Sequence, residues 1–211
     1  IIIGRAFDNG LICLGEQTVF VPEDKEAEFV AEMKKQGGYL VEGEENVDKL
    51  REGLFPGGGA FSRVVVGMFA DQVSDEIGLG APKGTRVLFA KAKALGAGDV
   101  LCREKLCPVI AFFTVDGWEA ACELSIRILQ NEGAGHTMTL HTKNKDVVRE
   151  FALRKPVSRI LVNTPGALGG VGASTGLAPA LTLGCGAVGG SATSDNITPM
   201  NLINIRRVAW G

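Results

Sequence analysis

Leu106-Cys107-Pro108-Val109-Ile110-Ala111-Phe112-Phe113-Thr114-Val115 is a nearly continuous apolar run. A strand with one solvated face alternates apolar and polar residues, so a run without alternation predicts a strand buried on both faces. Directly after it, Trp118 to Gln130 sets Trp118, Ala121, Cys122, Ser125, Ile128 and Leu129 on one stripe at helical spacing. A strand at His136 to Thr142, a helix at Lys145 to Lys155 and a strand at Arg159 to Asn163 continue the alternation. Upstream, Thr18 to Val21 reads as a strand and Glu23 to Gln36 as a helix, with Phe29, Val30 and Met33 on one side and Gly37-Gly38 ending it. A charged helix at Glu44 to Glu52, a break at Phe55-Pro56-Gly57-Gly58-Gly59, a short helix at Asp71 to Ile77 and a strand at Arg86 to Ala92 complete the series. Strand and helix in alternation imply βαβ crossovers and a largely parallel α/β sheet. Leu202 to Trp210 reads as one more strand, hanging beyond the α/β unit and free to pair with another chain.

With 211 residues, 45% hydrophobic and 22% charged, the chain is long enough for one large domain or two small ones. A formal net charge of -2, without a Lys/Arg cluster interleaved with aromatics, argues against a nucleic-acid surface. No apolar run approaches the roughly 20 residues that span a membrane, and the first residues lack the basic flank and apolar core of a signal peptide. The five cysteines, Cys13, Cys102, Cys107, Cys122 and Cys185, are an odd and dispersed set, which favours a reducing cytoplasmic setting over a disulfide framework. Cys102 and Cys107 have no zinc-ligand spacing, and with only His136 and His141 to complete a set no metal site is expected. The 29 glycines are about twice the usual share and gather after residue 160. Among them, Gly170-Val171-Gly172-Ala173-Ser174-Thr175-Gly176 approaches a dinucleotide fingerprint, with Asp195 downstream. Its last gap is one residue too long, and Pro179 and Gly184 interrupt the helix that would receive a pyrophosphate. It reads instead as a surface loop or the floor of a cleft. No phosphate-binding G-x-x-x-x-G-K-[ST] loop is present.

Cys13 lies in Phe7-Asp8-Asn9-Gly10-Leu11-Ile12-Cys13-Leu14-Gly15-Glu16-Gln17, between a glycine-bearing turn and a strand. Such a junction leaves a thiol at the mouth of a cleft beside unpaired N–H groups, which lower a thiol's pKa and hold an oxyanion. Cys13 is thus either a nucleophile or a small apolar residue. His136, after Gly133-Ala134-Gly135, is an acid/base or orienting group, or a satisfied structural residue. His141 points to the other face of a regular strand and is read as structural. Glu104 precedes the buried strand, either as a solvated cap or as a ligand for the two hydroxyls of a sugar diol. Asn9 and Asn163 suit turns better than a cleft.

Together these runs resemble the aldehyde dehydrogenase superfamily, in particular its CoA-acylating acetaldehyde and propionaldehyde dehydrogenase branch. Phe7-Asp8-Asn9-Gly10-Leu11-Ile12-Cys13 is similar to the nucleophile segment of that branch, and Glu104-Lys105-Leu106-Cys107-Pro108-Val109 to its nicotinamide-ribose segment. Gly133-Ala134-Gly135-His136-Thr137 resembles its G-x-G-H-T turn. Arg159-Ile160-Leu161-Val162-Asn163-Thr164-Pro165, Leu181-Thr182-Leu183-Gly184-Cys185-Gly186 and Gly189-Gly190 resemble its C-terminal signature. The resemblance implies a three-layer αβα catalytic domain over residues 1–200 and a C-terminal oligomerisation strand over 201–211. The dinucleotide-binding domain would lie N-terminal to the nucleophile, outside this chain.

The resemblance further implies that Cys13 attacks a short-chain aldehyde, with an oxyanion held by its own N–H. The acyl group then passes from a Cys13 thioester to coenzyme A, with His136 assisting. Glu104 and Leu106 would contact NAD, while Asn9, Ile12 and Gly166 would border the aldehyde channel, along with the loops up to Gly176. The expected assembly is a homodimer or homotetramer, in the cytoplasm or inside a bacterial microcompartment. A hydrolytic aldehyde dehydrogenase and an inactive fragment serving as an interaction domain are the alternatives.

Overall fold

The computed structural model describes residues 1–211. In chain order the elements are α1 (Ile2–Ala6), β1 (Thr18–Pro22), α2 (Glu26–Lys35), β2 (Gly38–Leu40), α3 (Glu44–Leu54), α4 (Ala70–Ile77) and β3 (Val87–Lys91). There follow β4 (Val109–Val115), α5 (Gly117–Asn131), β5 (Gly135–Leu140), α6 (Lys145–Arg154), β6 (Val157–Val162) and α7 (Gly166–Gly170). A four-stranded sheet runs β1-β4-β3-β2 and a second, two-stranded sheet is β5-β6. All of the pairs are parallel.

The opening apolar run becomes β4, flanked by β1 and β3, with Val109 and Ile110 fully buried. Its alternation is between two apolar layers rather than between core and water. Val109 and Ala111 join Leu88 and Ala90 of β3 against Leu50 and Leu54 of α3 and Val73 of α4. Ile110 and Phe112 join Val87 and Phe89 against Met33, Phe29 and Val30 of α2. Helices thus cover both faces, as expected of an αβα arrangement. The smaller sheet packs Leu140 of β5 on Cys122 of α5 and on Val147 and Phe151 of α6.

The sequence reading differs from the structure in several places. The expected Leu106–Val115 strand starts only at Val109, because Pro108 has no N–H to give to a ladder. The run at Gly37-Gly38 does more than end a helix, since Gly38 opens β2. A Cβ there would come 2.8 Å from the Met33 carbonyl oxygen, so the chain turns back through a space only glycine fits. The segment Leu202–Trp210, expected to pair with another chain, forms no ladder within this one. Pro199–Leu202 is a 3-10 turn and the residues after it have no ladder. A strand exists only against a partner edge, and no edge of this chain reaches that segment. One continuous sheet is also not formed: the free edges of β1 and β5 face a common cleft.

Candidate active site

Because β1 and β4 are paired in parallel, the segments that precede them emerge at the same edge of the sheet. Cys13 precedes β1, Glu104 precedes β4 and His136 lies at the start of β5. All three line one cleft of about 1260 Å³ between the free edges of β1 and β5.

The backbone leading to Cys13 is strained and held. Asp8, Asn9 and Gly10 are consecutive left-handed residues, with φ of 49°, 50° and 73°. Such a conformation costs about 1–3 kcal/mol at a non-glycine residue and persists only when its surroundings impose it. Here Asn9 Nδ2 donates to the Gly67 carbonyl at 3.1 Å, and the Leu11 N–H donates to Asp8 at 3.0 Å. Gly10 is obligatory, since a Cβ would lie 2.6 Å from the Cys107 carbonyl carbon. Gly67 also donates its N–H to the Leu106 carbonyl at 2.9 Å, so the nucleophile and carboxylate segments share one anchor.

Cys13 is exposed to solvent on one side and crowded by protein on the others. That crowding pushes its thiol above the ordinary value, and the Glu104 carboxylate adds to the effect. Its own backbone N–H, directed at the sulfur, and the Arg159 guanidinium act in the opposite direction. The expected lowering by local N–H groups is therefore present but outweighed. His136 is held below its ordinary value mainly by burial, with Arg159 adding to the shift and Glu104 opposing it. A neutral imidazole able to accept a proton results. Glu104 is exposed and its carboxylate accepts no hydrogen bond within the chain, which leaves both oxygens for a diol. That free carboxylate at the cleft fits the ribose of a nicotinamide nucleotide.

The other expected residues, Asn9, Ile12, Leu106 and Gly166, do not line the cleft. Leu106 is half-buried and Ile12 precedes Cys13 in its turn. Asn9 is turned to Gly67. Gly166 is buried at the start of α7, where its N–H donates to Glu16 Oε1 at 2.9 Å. Asn163, at φ 54°, closes a turn by pairing its amide with the Thr142 backbone at 2.8 and 2.9 Å. His141 reaches the same cleft wall as His136 from the far end of β5.

Arg159, Lys105 and Arg5 were not picked out from the sequence. Arg159 is buried in β6 and binds Asn196 Oδ1 at 3.0 Å and the Gly184 carbonyl at 2.6 Å, which holds the glycine-rich loop against the site. Arg5 and Lys105 are fully buried. For Arg159 and Lys105, a charged residue inside or beside a strand pattern is the signal that would have found them, because such residues are buried only when bound.

No protein-family model matches the chain. It is similar along its whole length to the acetylating succinate-semialdehyde dehydrogenase of Clostridium kluyveri, with 38% identity, and covers 46% of that protein. Among solved structures, a probable aldehyde dehydrogenase of Listeria monocytogenes matches all of the chain at 47% identity and a TM-score of 0.93, over 47% of its own length. An acetylating aldehyde dehydrogenase of Geobacillus thermoglucosidasius matches at 37% identity with the same TM-score, over 46% of its length. The chain therefore spans about half the length of these relatives.

Proposed function

We propose that this chain, which matches acetylating aldehyde dehydrogenases in sequence and fold along its whole length, is the nucleophile-bearing half of an enzyme that oxidises a short-chain aldehyde to acyl-CoA. The observation that carries the proposal is that Cys13, His136 and Glu104, each at or just before the start of a strand, line one cleft.

In this mechanism the Cys13 sulfur forms a bond to the aldehyde carbon and the carbonyl oxygen becomes an oxyanion. The Cys13 backbone N–H would receive that oxygen. One such donor is worth about 3 kcal/mol of barrier. NAD would supply the acceptor for the hydride that leaves the former aldehyde carbon, and Cys13 would then carry a thioester. Glu104 would hold the nicotinamide ribose through its free carboxylate, supplying position rather than chemistry. The thiol of CoA then attacks the thioester, the Cys13 thiolate leaves, and His136 accepts the proton of the incoming thiol.

Acetaldehyde or propionaldehyde is the substrate, in a homo-oligomer assembled through the tail from Leu202 to Trp210. Exposed Leu202, Ile205, Val208 and Trp210 support an interface there. No helix is long and apolar enough to cross a membrane. We assign the reaction to the cytoplasm or to a bacterial microcompartment.

The test is Cys13→Ala in the longer protein that carries this chain, assayed for acyl-CoA with aldehyde, NAD and CoA. Acyl-CoA formation should vanish while NAD binding survives. Retained turnover refutes the scheme.

A further inference from the structure

Glu104 sits on a loop built around two buried cations. Lys105 and Arg5 are both fully inaccessible to solvent. Each is bound to peptide carbonyls rather than to a carboxylate. Lys105 Nζ donates to the Leu101 carbonyl at 2.7 Å and to the Arg103 carbonyl at 2.8 Å. Arg5 Nη2 donates to the carbonyls of Lys105 and Cys107. The alternate carbonyls of residues 101, 103, 105 and 107 therefore all turn inward, onto the two cations. The side chain of Glu104, between them, turns outward into the cleft.

Gln17, which follows Cys13 in the chain, fastens the same loop from the other side. It accepts the Lys105 N–H at 3.0 Å through Oε1 and donates Nε2 to the Lys105 carbonyl at 3.2 Å. The outer side is held by Glu132, whose Oε2 accepts the Glu104 N–H at 2.8 Å.

We propose that Lys105 is the positioning residue of Glu104: its Nζ, which has two N–H donors whether charged or neutral, gathers the carbonyls of Leu101 and Arg103 and so fixes where the Glu104 carboxylate stands relative to Cys13. A desolvated ammonium without a counter-ion costs stability, and burial with Arg5 alongside pushes Lys105 down to about 7. A purely structural loop would be served as well by an apolar residue. The use of a lysine here is accounted for by the two inward carbonyls that it satisfies beside the cleft.

The Cys13 thiol reports on Glu104 without any cofactor, because the Glu104 carboxylate raises it. The experiment follows alkylation of Cys13 by iodoacetamide against pH, mapped by mass spectrometry, in this chain. The variants are Glu104→Gln, Lys105→Met and the double variant. Glu104→Gln should move the midpoint down. Lys105→Met should move it in the same direction, and the double variant should match Glu104→Gln alone, as residues acting through one another do. An unmoved midpoint in Lys105→Met, or shifts that add, overturns the proposal. Gln17→Leu, which removes both hydrogen bonds to the Lys105 backbone and leaves the Lys105 and Arg5 side chains in place, gives a second reading should Lys105→Met lose its circular dichroism.

The assignment of Glu104 to NAD, on which the functional meaning rests, is tested apart, by kinetics in the longer protein. Lys105→Met should raise the KM for NAD about tenfold, the equivalent of its lost hydrogen bonds, with kcat at saturating NAD unchanged. If Glu104→Gln leaves that KM unmoved, the NAD assignment fails while the thiol titration still decides the role of Lys105.

Discussion

Replacing Gly166 with alanine places a methyl group against the backbone that carries the nucleophile. The new Cβ would stand 2.4 Å from the Leu14 carbonyl oxygen, and 3.4 Å is the near limit of an ordinary contact. Leu14 must therefore retreat by about 1 Å, and it is the residue bonded to Cys13. The remaining neighbours, Glu16 Cδ and Thr139 Oγ1 at 3.3 Å, give no room for α7 to move instead. A displacement of that size at a reacting group costs about 100-fold in rate. Stability should change far less. Alanine gains about 1 kcal/mol over glycine in a helix, overpacking removes about 1–3 kcal/mol, and 1 kcal/mol moves Tm by about 2–4 °C in a chain of this size. The assay is acyl-CoA formation in the longer protein, with Cys13 alkylation and thermal unfolding measured on this chain. Gly176→Ala is the control, because its Cβ meets nothing within 4 Å. Rates for Gly166→Ala that match the control would refute the argument that close approach of α7 to the nucleophile turn sets the position of Cys13.

Further predictions concern the base, the buried lysine and the core. His136→Ala should slow the transfer of the acyl group to CoA in single-turnover experiments, with the deficit shrinking as pH rises and the CoA thiol ionises unaided; an unchanged transfer rate would remove His136 from the step. Lys105 is pushed down to about 7 by burial and by Arg5, so between there and the ordinary 10.5 the unfolded chain binds more protons than the folded one. Its penalty is full below that window and fades as pH rises through it, so stability from urea unfolding should climb more steeply with pH in the parent than in Lys105→Met. Equal slopes would mean that the lysine is not a buried base. Leu50→Ala, at a fully buried position of α3, should cost about 2–5 kcal/mol in urea unfolding. A surface-like loss would show that the layer formed by α3 and α4 is not packed on β3 and β4.

The sheet was legible because its signal is local. β4 is apolar throughout, α5 follows it with a single stripe, and the α/β alternation needs nothing from distant residues. The segment Gly38–Leu40 was missed for the opposite reason. It is a short strand opened by a glycine, and its existence depends on pairing with β3, a partner nearly fifty residues away in sequence. The tail from Leu202 to Trp210 has the apolar composition of a strand, and the edge that it needs is one that this chain does not supply. The location of Cys13, His136 and Glu104 beside strand starts was legible from short motifs. Arg5, Lys105 and Arg159 were not, because a lysine among charged neighbours in Arg103-Glu104-Lys105 looks solvated until the carbonyls around it are known.

Two kinds of structure meet at this site, and they carry different duties. The sheet fixes where β1, β4 and β5 begin, through layers such as Leu88, Val109 and Ile110 that contain no polar group to misplace. Cys13 and Glu104 stand one step earlier, on the turns before β1 and β4. Those turns are bonded to one another: Asn9 and Leu106 to Gly67, Gln17 and Arg5 to Lys105, Glu16 to Gly166. A cut in any of these links leaves the core intact and still moves Cys13 or Glu104. Substitutions at Gly67, Gln17 and Gly166 should therefore separate activity from stability, whereas those at Leu50 or Phe89 should lower both together.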